Sequence, residues 1–232
     1  MSRLDGSPLL SPRMRRRLIR HHLPLAVGTM LALVAVHTVT RSKGEWFRWS
    51  MATAYVGLAL LGVTLMTGPL NVVRHRPNPV STDLRRDIGM WAGVIAVAHF
   101  LVGWQVHMKH RYLYFFRERT ASAGTLVPRT DLFGAANDLG LVAVIVACML
   151  LALSNDRSLR ALGTSRWKSL QRWNYAFLAL VLVHGAAFQL IEKRAPPFVA
   201  LFAALSAAII ALQLVGYRRR RLAIANRDAP LP

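Results

Sequence analysis

The sequence alternates long apolar blocks with short stretches that carry nearly all of its charged residues. Six blocks are each close to the about 20 apolar residues that a helix needs to cross a bilayer core. They cover residues 23–39, 51–73, 88–108, 132–153, 173–191 and 198–217. The pattern predicts an all-α integral membrane protein built as a six-helix bundle. We divide the chain into a basic N-terminal segment (1–22), a six-helix transmembrane domain (23–217) and a basic tail (218–232).

The charges between these blocks predict an orientation. The 232 residues include 30 Lys and Arg against 10 Asp and Glu, a net charge of +20. Twenty of those 30 basic residues fall in the N-terminal segment, the second and fourth connections and the tail, which share one side of the membrane. The positive-inside rule therefore predicts that both termini are cytoplasmic. Because the charge excess is accounted for in this way, we expect contact with membrane lipid and no nucleic-acid binding.

Two of the predicted helices carry a histidine at the same depth. His99 follows Arg86 by 13 residues, and His184 follows Gln171 by 13 residues. At about 1.5 Å per residue, each imidazole lies roughly 20 Å above the start of its helix. Ionisable side chains inside a membrane usually serve a function, and a b-type haem can take two facing imidazoles as its axial ligands. We therefore predict that both histidines bind haem iron. The alternative is that they form hydrogen bonds between helices.

His37 lies at a similar depth in the first predicted helix. It is a third candidate for cofactor binding, as an alternative ligand, as a hydrogen-bonding partner of a ligand or as a proton-handling group. The one cysteine, Cys148, lies within an apolar block, so the sequence offers no cysteine-based metal site. Four basic residues near the outer helix ends are candidates for pairing with haem propionates: Arg41, Lys109, Arg111 and Lys193.

Two motifs in the chain resemble those of a known membrane family. The first, L-R-R-D-I-G-M-W-(x)7-H, ends at His99, and the second, L-G-(x)3-W-x-x-L-Q-R-(x)2-Y-(x)8-H, ends at His184. They resemble the ferric reductase-like transmembrane domain superfamily, and within it the haem-binding membrane subunit of the bacterial periplasmic methionine sulfoxide reductase system. The resemblance covers roughly residues 85–188. It implies a six-helix bundle in a bacterial-type inner membrane that binds b-type haem, with these two histidines as ligands.

The resemblance also assigns Arg85 and Arg86 to a basic pair at the foot of the third helix. It departs from the family at Gln171, where members of this type carry a histidine that is implicated in haem binding near the inner face. Glutamine is a poor iron ligand, so we expect one haem, near the outer face. Its electrons would come from a quinol within the membrane or from a flavin held near Arg85, Arg86 and Arg172.

We interpret the chain as an oxidoreductase subunit that transfers electrons, with no catalytic residues and no nucleotide-binding domain of its own. It would pass electrons across the membrane to an outer-side acceptor or partner oxidoreductase, and the 109–131 loop is a candidate docking segment. Two alternatives stay open. One is a stand-alone ferric or cupric reductase, and the other is a haem-free membrane scaffold or assembly factor.

Overall fold

The computed structural model describes residues 12–41, 44–74, 82–108, 117–119 and 126–228. A short helix and a π-helical turn lead directly into the first long helix. In chain order the helical elements are α1 (Pro12–Arg17), the π-helical turn Leu18–His22, α2 (Leu23–Val39), α3 (Glu45–Arg74), α4 (Thr82–Met108), α5 (Leu132–Leu153), α6 (Asp156–Gln171), α7 (Trp173–Ile191) and α8 (Pro196–Asp228). Between α4 and α5, the short strands β1 (Arg117–Arg119) and β2 (Leu126–Pro128) pair in antiparallel fashion.

Six helical segments are long and apolar enough to cross a membrane, as expected of a multi-pass membrane protein. Each corresponds to one of the apolar blocks of the sequence, so the predicted all-α, six-helix architecture is confirmed. Large apolar side chains lie on the outside of the bundle, where lipid would contact them. Leu31 is 66% exposed and Leu190 is 72% exposed. This exposed apolar surface is the one expected of a bundle surrounded by lipid.

Three of the long helices extend beyond the apolar blocks that predict them, and three do not. The bounds of α2, α5 and α7 agree with the predicted blocks to the residue. By contrast, α3 and α4 each begin six residues before their blocks, and α8 continues as far as Asp228, through most of the segment predicted as a separate tail. A helix continues into polar sequence when no residue stops it, because its hydrogen bonds are made by the backbone. The apolar pattern therefore marks the membrane-spanning part of each helix and not its end.

Helix α3 lies at the centre of the bundle. It packs against α2, α4 and α8, while α5 packs against α4 and α7. The buried face of α3 contributes Leu58, Leu61 and Leu65 to a core that α5 and α7 share. Its buried threonines donate to carbonyls of the preceding turn, as Thr64 does to Leu60 O at 2.9 Å, so they need no partner from another helix. Helices α3 and α5 thus form the two walls against which α4 and α7 pack.

The basic N-terminal segment packs against α4. Asp87 on α4 is completely buried, and the guanidinium of Arg17 donates hydrogen bonds to its carboxylate. The π-helical turn brings His21 Nδ1 to 2.7 Å from Asp87 Oδ2, and His22 Nε2 to 3.6 Å from Asp87 Oδ1. One turn along α4, Trp91 donates from Nε1 to His22 Nδ1 at 3.3 Å. The predicted N-terminal segment is therefore, over its described part, a continuous extension of the bundle.

Helix α6 is divided by Gly163, whose φ of 70° lies in the left-handed region that glycine adopts without strain. Asn155 caps the first part by accepting a hydrogen bond from the backbone N–H three residues on, at 2.8 Å. In the second part, Trp167 donates from Nε1 to Leu153 O at 2.9 Å and so holds α6 against the end of α5. This bent helix delivers Gln171 to the base of α7.

We expect Arg17→Met to lower the stability of the fold by about 3–5 kcal/mol, because it leaves a buried carboxylate without its guanidinium partner. The double variant Arg17→Met with Asp87→Leu should regain most of that loss, since an apolar pair needs no partner. The measurement is thermal unfolding in detergent, followed by circular dichroism. Arg20→Met, at an exposed position on the following turn, is the control and should leave the midpoint nearly unchanged. Equal midpoints for the Arg17 and Arg20 variants would show that the buried pair does not matter.

Candidate functional site

Helices α4 and α7 each present one histidine to the interior of the bundle. His99 on α4 and His184 on α7 face each other with 6.2 Å between their ring centroids, and their ring planes make an angle of 82°. Helix α5 packs against both α4 and α7, and α3 contacts both from another side. The structure thus brings together the two histidines that the sequence places at one depth.

Hydrogen bonds at Nδ1 orient both rings in the same way. His184 Nδ1 lies 2.8 Å from Ala136 O, which can only accept, so Nδ1 carries the proton. His99 Nδ1 lies 3.1 Å from Thr53 Oγ1. The Thr53 hydroxyl also donates to Trp49 O at 2.8 Å, which leaves an oxygen lone pair that can accept from His99 Nδ1. In the tautomer that donates from Nδ1 to these partners, each ring has its lone pair on Nε2, a nitrogen through which histidine commonly binds metals.

Both histidines line one cavity, which we call the histidine cavity. Much of its wall is formed by small residues on α3, α4, α5 and α7, namely Ala54, Gly57, Ala92, Ala96, Gly103, Gly140, Ala143 and Gly185. Apart from the histidines, its polar lining residues are Ser50, Thr53, Tyr55, Asn137, Gln189 and Arg194. The cavity has a volume of about 150 Å³, and small residues on four helices form its wall beside the two imidazoles.

Gly140 allows a close approach between α5 and the His184 ring. A Cβ at this position would lie 2.8 Å from His184 Cε1 and 3.0 Å from His184 Nδ1, which is closer than packed atoms tolerate. Only glycine therefore lets the His184 ring lie against α5 and reach Ala136 O.

The distance between the two rings is the one expected of two imidazoles that would hold a haem iron between them. Two imidazoles that bind one metal ion from opposite sides, with metal–nitrogen distances of about 2 Å, have ring centres roughly 6 Å apart. The separation of 6.2 Å agrees with this arrangement. In the part of the chain that the structure describes, no group of three or more His, Cys, Asp or Glu side chains is placed to hold a metal ion. A haem needs only two protein ligands, because its macrocycle supplies the other four nitrogens.

His37 does not join this pair. Its Nε2 lies 2.9 Å from Glu45 Oε2, and its ring stacks on Trp49 with 4.3 Å between the centroids. It is not among the residues that line the histidine cavity. The structure places it against the start of α3, where its partner is a carboxylate.

The basic residues expected to meet haem propionates have different positions. Arg41 and Lys193 are exposed and do not line the histidine cavity, and Lys109 and Arg111 lie outside the described residues. The cavity is lined instead by Arg194, the residue that follows Lys193. Burial lowers the pKa of Arg194, against the opposing effects of Glu192 and Tyr55.

A second cavity, of about 340 Å³, lies toward the N-terminal ends of α4 and α7. We call it the basic-end cavity, because Arg85, Arg86, Lys168 and Arg172 line it together with Gln171. Three residues line both cavities, Leu61, Ala92 and Phe177. The two cavities are therefore neighbours along the bundle. Among the described residues no histidine lines the basic-end cavity, so its donor set does not fit a second haem with histidine ligands.

Some polar groups of the basic-end cavity form hydrogen bonds within the protein, and others do not. Arg85 Nε donates to Thr64 O at 3.0 Å, and Arg86 donates to Asp156 Oδ1 at 2.6 Å, which connects α4 with α6. Two buried nitrogen atoms, Arg86 Nε and Gln171 Nε2, have no hydrogen-bond partner among the described residues. Buried donors of this kind are suited to a ligand that carries acceptor oxygens.

No family model, curated protein or solved structure matches this chain. The site is therefore assigned from its contacts within this structure. Four residues that hold the histidines or line their cavity were not predicted from the sequence: Thr53, Ala136, Gly140 and Arg194. The first three have no sequence signal, since small residues are common throughout these helices and Ala136 acts through its backbone. Arg194 had a signal, because it adjoins Lys193 at the end of α7.

We expect Gly140→Ala to displace His184 and to destabilise the fold by about 1–3 kcal/mol, the usual cost of overpacking. Gly28→Ala on α2 is the matched control, because a Cβ there meets nothing within 4 Å. That control should leave stability unchanged or raise it by up to about 1 kcal/mol through helix propensity. Thermal unfolding midpoints of the two variants, measured in one detergent, give the comparison. A Gly140→Ala midpoint equal to or above that of the unchanged protein would be incompatible with this close approach.

Proposed function

We propose that this protein is a membrane electron-transfer subunit that binds one b-type haem through His99 and His184. The supporting observation is the pair of imidazoles whose centroids lie 6.2 Å apart, each with Nδ1 bonded to a neighbouring helix. A haem bound there would supply one-electron redox chemistry at its iron. In this proposal the chain is the membrane subunit of an oxidoreductase in a bacterial-type inner membrane and has no substrate chemistry of its own.

The residues around the pair control that chemistry through orientation and polarity. Thr53 and the Ala136 carbonyl hold the two rings in the tautomer that ligates through Nε2, and such bonds raise the basicity of the ligand. Mostly apolar residues of α3, α5 and α7 surround the pair, and an apolar environment of this kind tunes the reduction potential of a haem. The Nδ1 atom of each imidazole is thus held by the protein, while Nε2 would bind the cofactor.

We propose a direction of transfer from the basic-end cavity to the opposite end of the bundle. The positive-inside rule favours a cytoplasmic position for the basic end. The donor in this proposal is a quinol or a flavin, whose oxygens would accept from Arg86 Nε and Gln171 Nε2. Leu61, Ala92 and Phe177 line both cavities, so the donor would be bound next to the histidine cavity. Rates of haem reduction by a quinol and by a reduced flavin, measured on one preparation, distinguish the two donors.

At the other end the electrons would pass to an outer-side acceptor, such as a partner oxidoreductase. If the isolated subunit reduced chelated iron or copper without a partner, the stand-alone reductase would be the better description. A protein that yields no chromophore even after haem supplementation would instead be the haem-free scaffold or assembly factor. These outcomes separate the three functions.

We expect the purified protein to give the reduced-minus-oxidised spectrum of a b-type haem, with about one haem per chain. His99→Ala and His184→Ala should each abolish the six-coordinate spectrum, because each removes one axial ligand. His37→Ala is the matched control and should leave the spectrum unchanged, since that imidazole lies against Glu45. A normal spectrum in either of the first two variants, or its loss in the His37 variant, would show that the ligands are assigned wrongly.

A further inference from the structure

The connection between α7 and α8 directs the side chain of Arg194 toward the histidine cavity. Backbone N–H groups of Lys193 and Arg194 donate to Leu190 O at 3.3 Å and to Gln189 O at 3.2 Å, which closes the end of α7 in a Schellman motif. Lys193 has a φ of 47°, the left-handed conformation that glycine usually supplies at this position. The chain therefore accepts some backbone strain at the residue directly before Arg194.

The side chain of Arg194 folds back over the bundle. Its guanidinium lies over the Phe47 ring, with 4.7 Å from Cζ to the ring centroid, and contacts Met51 Sδ. Phe47 is 8% exposed and Met51 is 2% exposed, so the group lies against the core. Together with His99 and His184 it lines the histidine cavity. The charge is thus placed at the wall of the cavity and not in the solvent around the loop.

This guanidinium has no matching anion in the described part of the chain. No carboxylate oxygen lies within 4 Å of it there, although Glu192, two residues earlier, attracts it at longer range. An aromatic face and a thioether are weak substitutes for the water that a guanidinium loses on burial. In the same cavity, Gln189 Oε1 is buried without a hydrogen-bond partner among the described residues. The cavity therefore contains polar groups that the protein alone does not satisfy.

We propose that Arg194 is the carboxylate-binding residue of the histidine cavity and that it pairs with a propionate of the bound haem. A planar guanidinium suits a carboxylate because it can donate two parallel hydrogen bonds. The inference rests on the proposed function, since the carboxylate belongs to the cofactor. It replaces the assignment of this role to exposed Lys193.

The test uses the full-length protein, produced without haem and titrated with haemin and with haemin dimethyl ester, in which both propionates are blocked. The unchanged protein should bind haemin roughly ten- to hundredfold more tightly than the ester, in line with hydrogen bonds to a charged group. Arg194→Met should bind both forms equally, at about the affinity that the unchanged protein has for the ester. Arg194→Lys keeps the charge but not the planar fork, so it should retain only part of the preference.

Lys193→Met is the matched control, because it removes a neighbouring but exposed charge. It should keep the full preference for haemin. A second measurement is the reduction potential of the reconstituted haem, which should fall in Arg194→Met, since a nearby positive charge favours the reduced form.

Two results would overturn the proposal while leaving the haem-binding function intact. One is equal binding of haemin and its ester by the unchanged protein, which does not depend on any variant folding. The other is a preference that persists in Arg194→Met or disappears in Lys193→Met. If the unchanged protein binds neither form, the proposed function itself fails and this inference fails with it.

Discussion

The site depends on a fixed distance between α4 and α7, which α3 and α5 maintain. Each imidazole is tied to one of these intervening helices, His99 to Thr53 on α3 and His184 to Ala136 O on α5. A hydrogen bond between membrane helices contributes only about 0.6 kcal/mol on average. These bonds therefore do more to orient the rings than to stabilise the fold. The distance between α4 and α7 is maintained by apolar packing, and at Gly140 this packing directly contacts the ring of His184.

At one end of the bundle a charged group is fully buried and at the other end one is partly buried, and the two have different partners. At the basic end, Arg17 and His21 enclose the carboxylate of Asp87, so its partners are side chains of the protein itself. At the other end, Arg194 lies over Phe47 and faces the histidine cavity. A buried pair that is complete needs no ligand, whereas a buried group without a counter-charge gains from one. This contrast distinguishes a structural cluster from a binding site.

Local sequence predicts much of the fold but only part of the site. Six apolar blocks define the helices, and equal spacing places His99 and His184 at one depth, because both properties follow from helix geometry. That the two rings face each other depends on how α3 and α5 pack between them, which no local pattern encodes. The same holds for Asp87, whose burial requires the N-terminal helix to fold across α4. Gln171 was expected to weaken an inner haem site, and the cavity beside it offers donors suited to an oxygen-bearing ligand.

The central claim is that His99 and His184 ligate one haem with nearly perpendicular ring planes. Electron paramagnetic resonance of the oxidised protein at low temperature tests it most directly, because the angle between axial imidazole planes sets the anisotropy of the low-spin ferric signal. The angle of 82° predicts the strongly axial low-spin signal of perpendicular planes, from about one haem per chain. A high-spin signal, or the rhombic low-spin signal of parallel planes, would contradict the account.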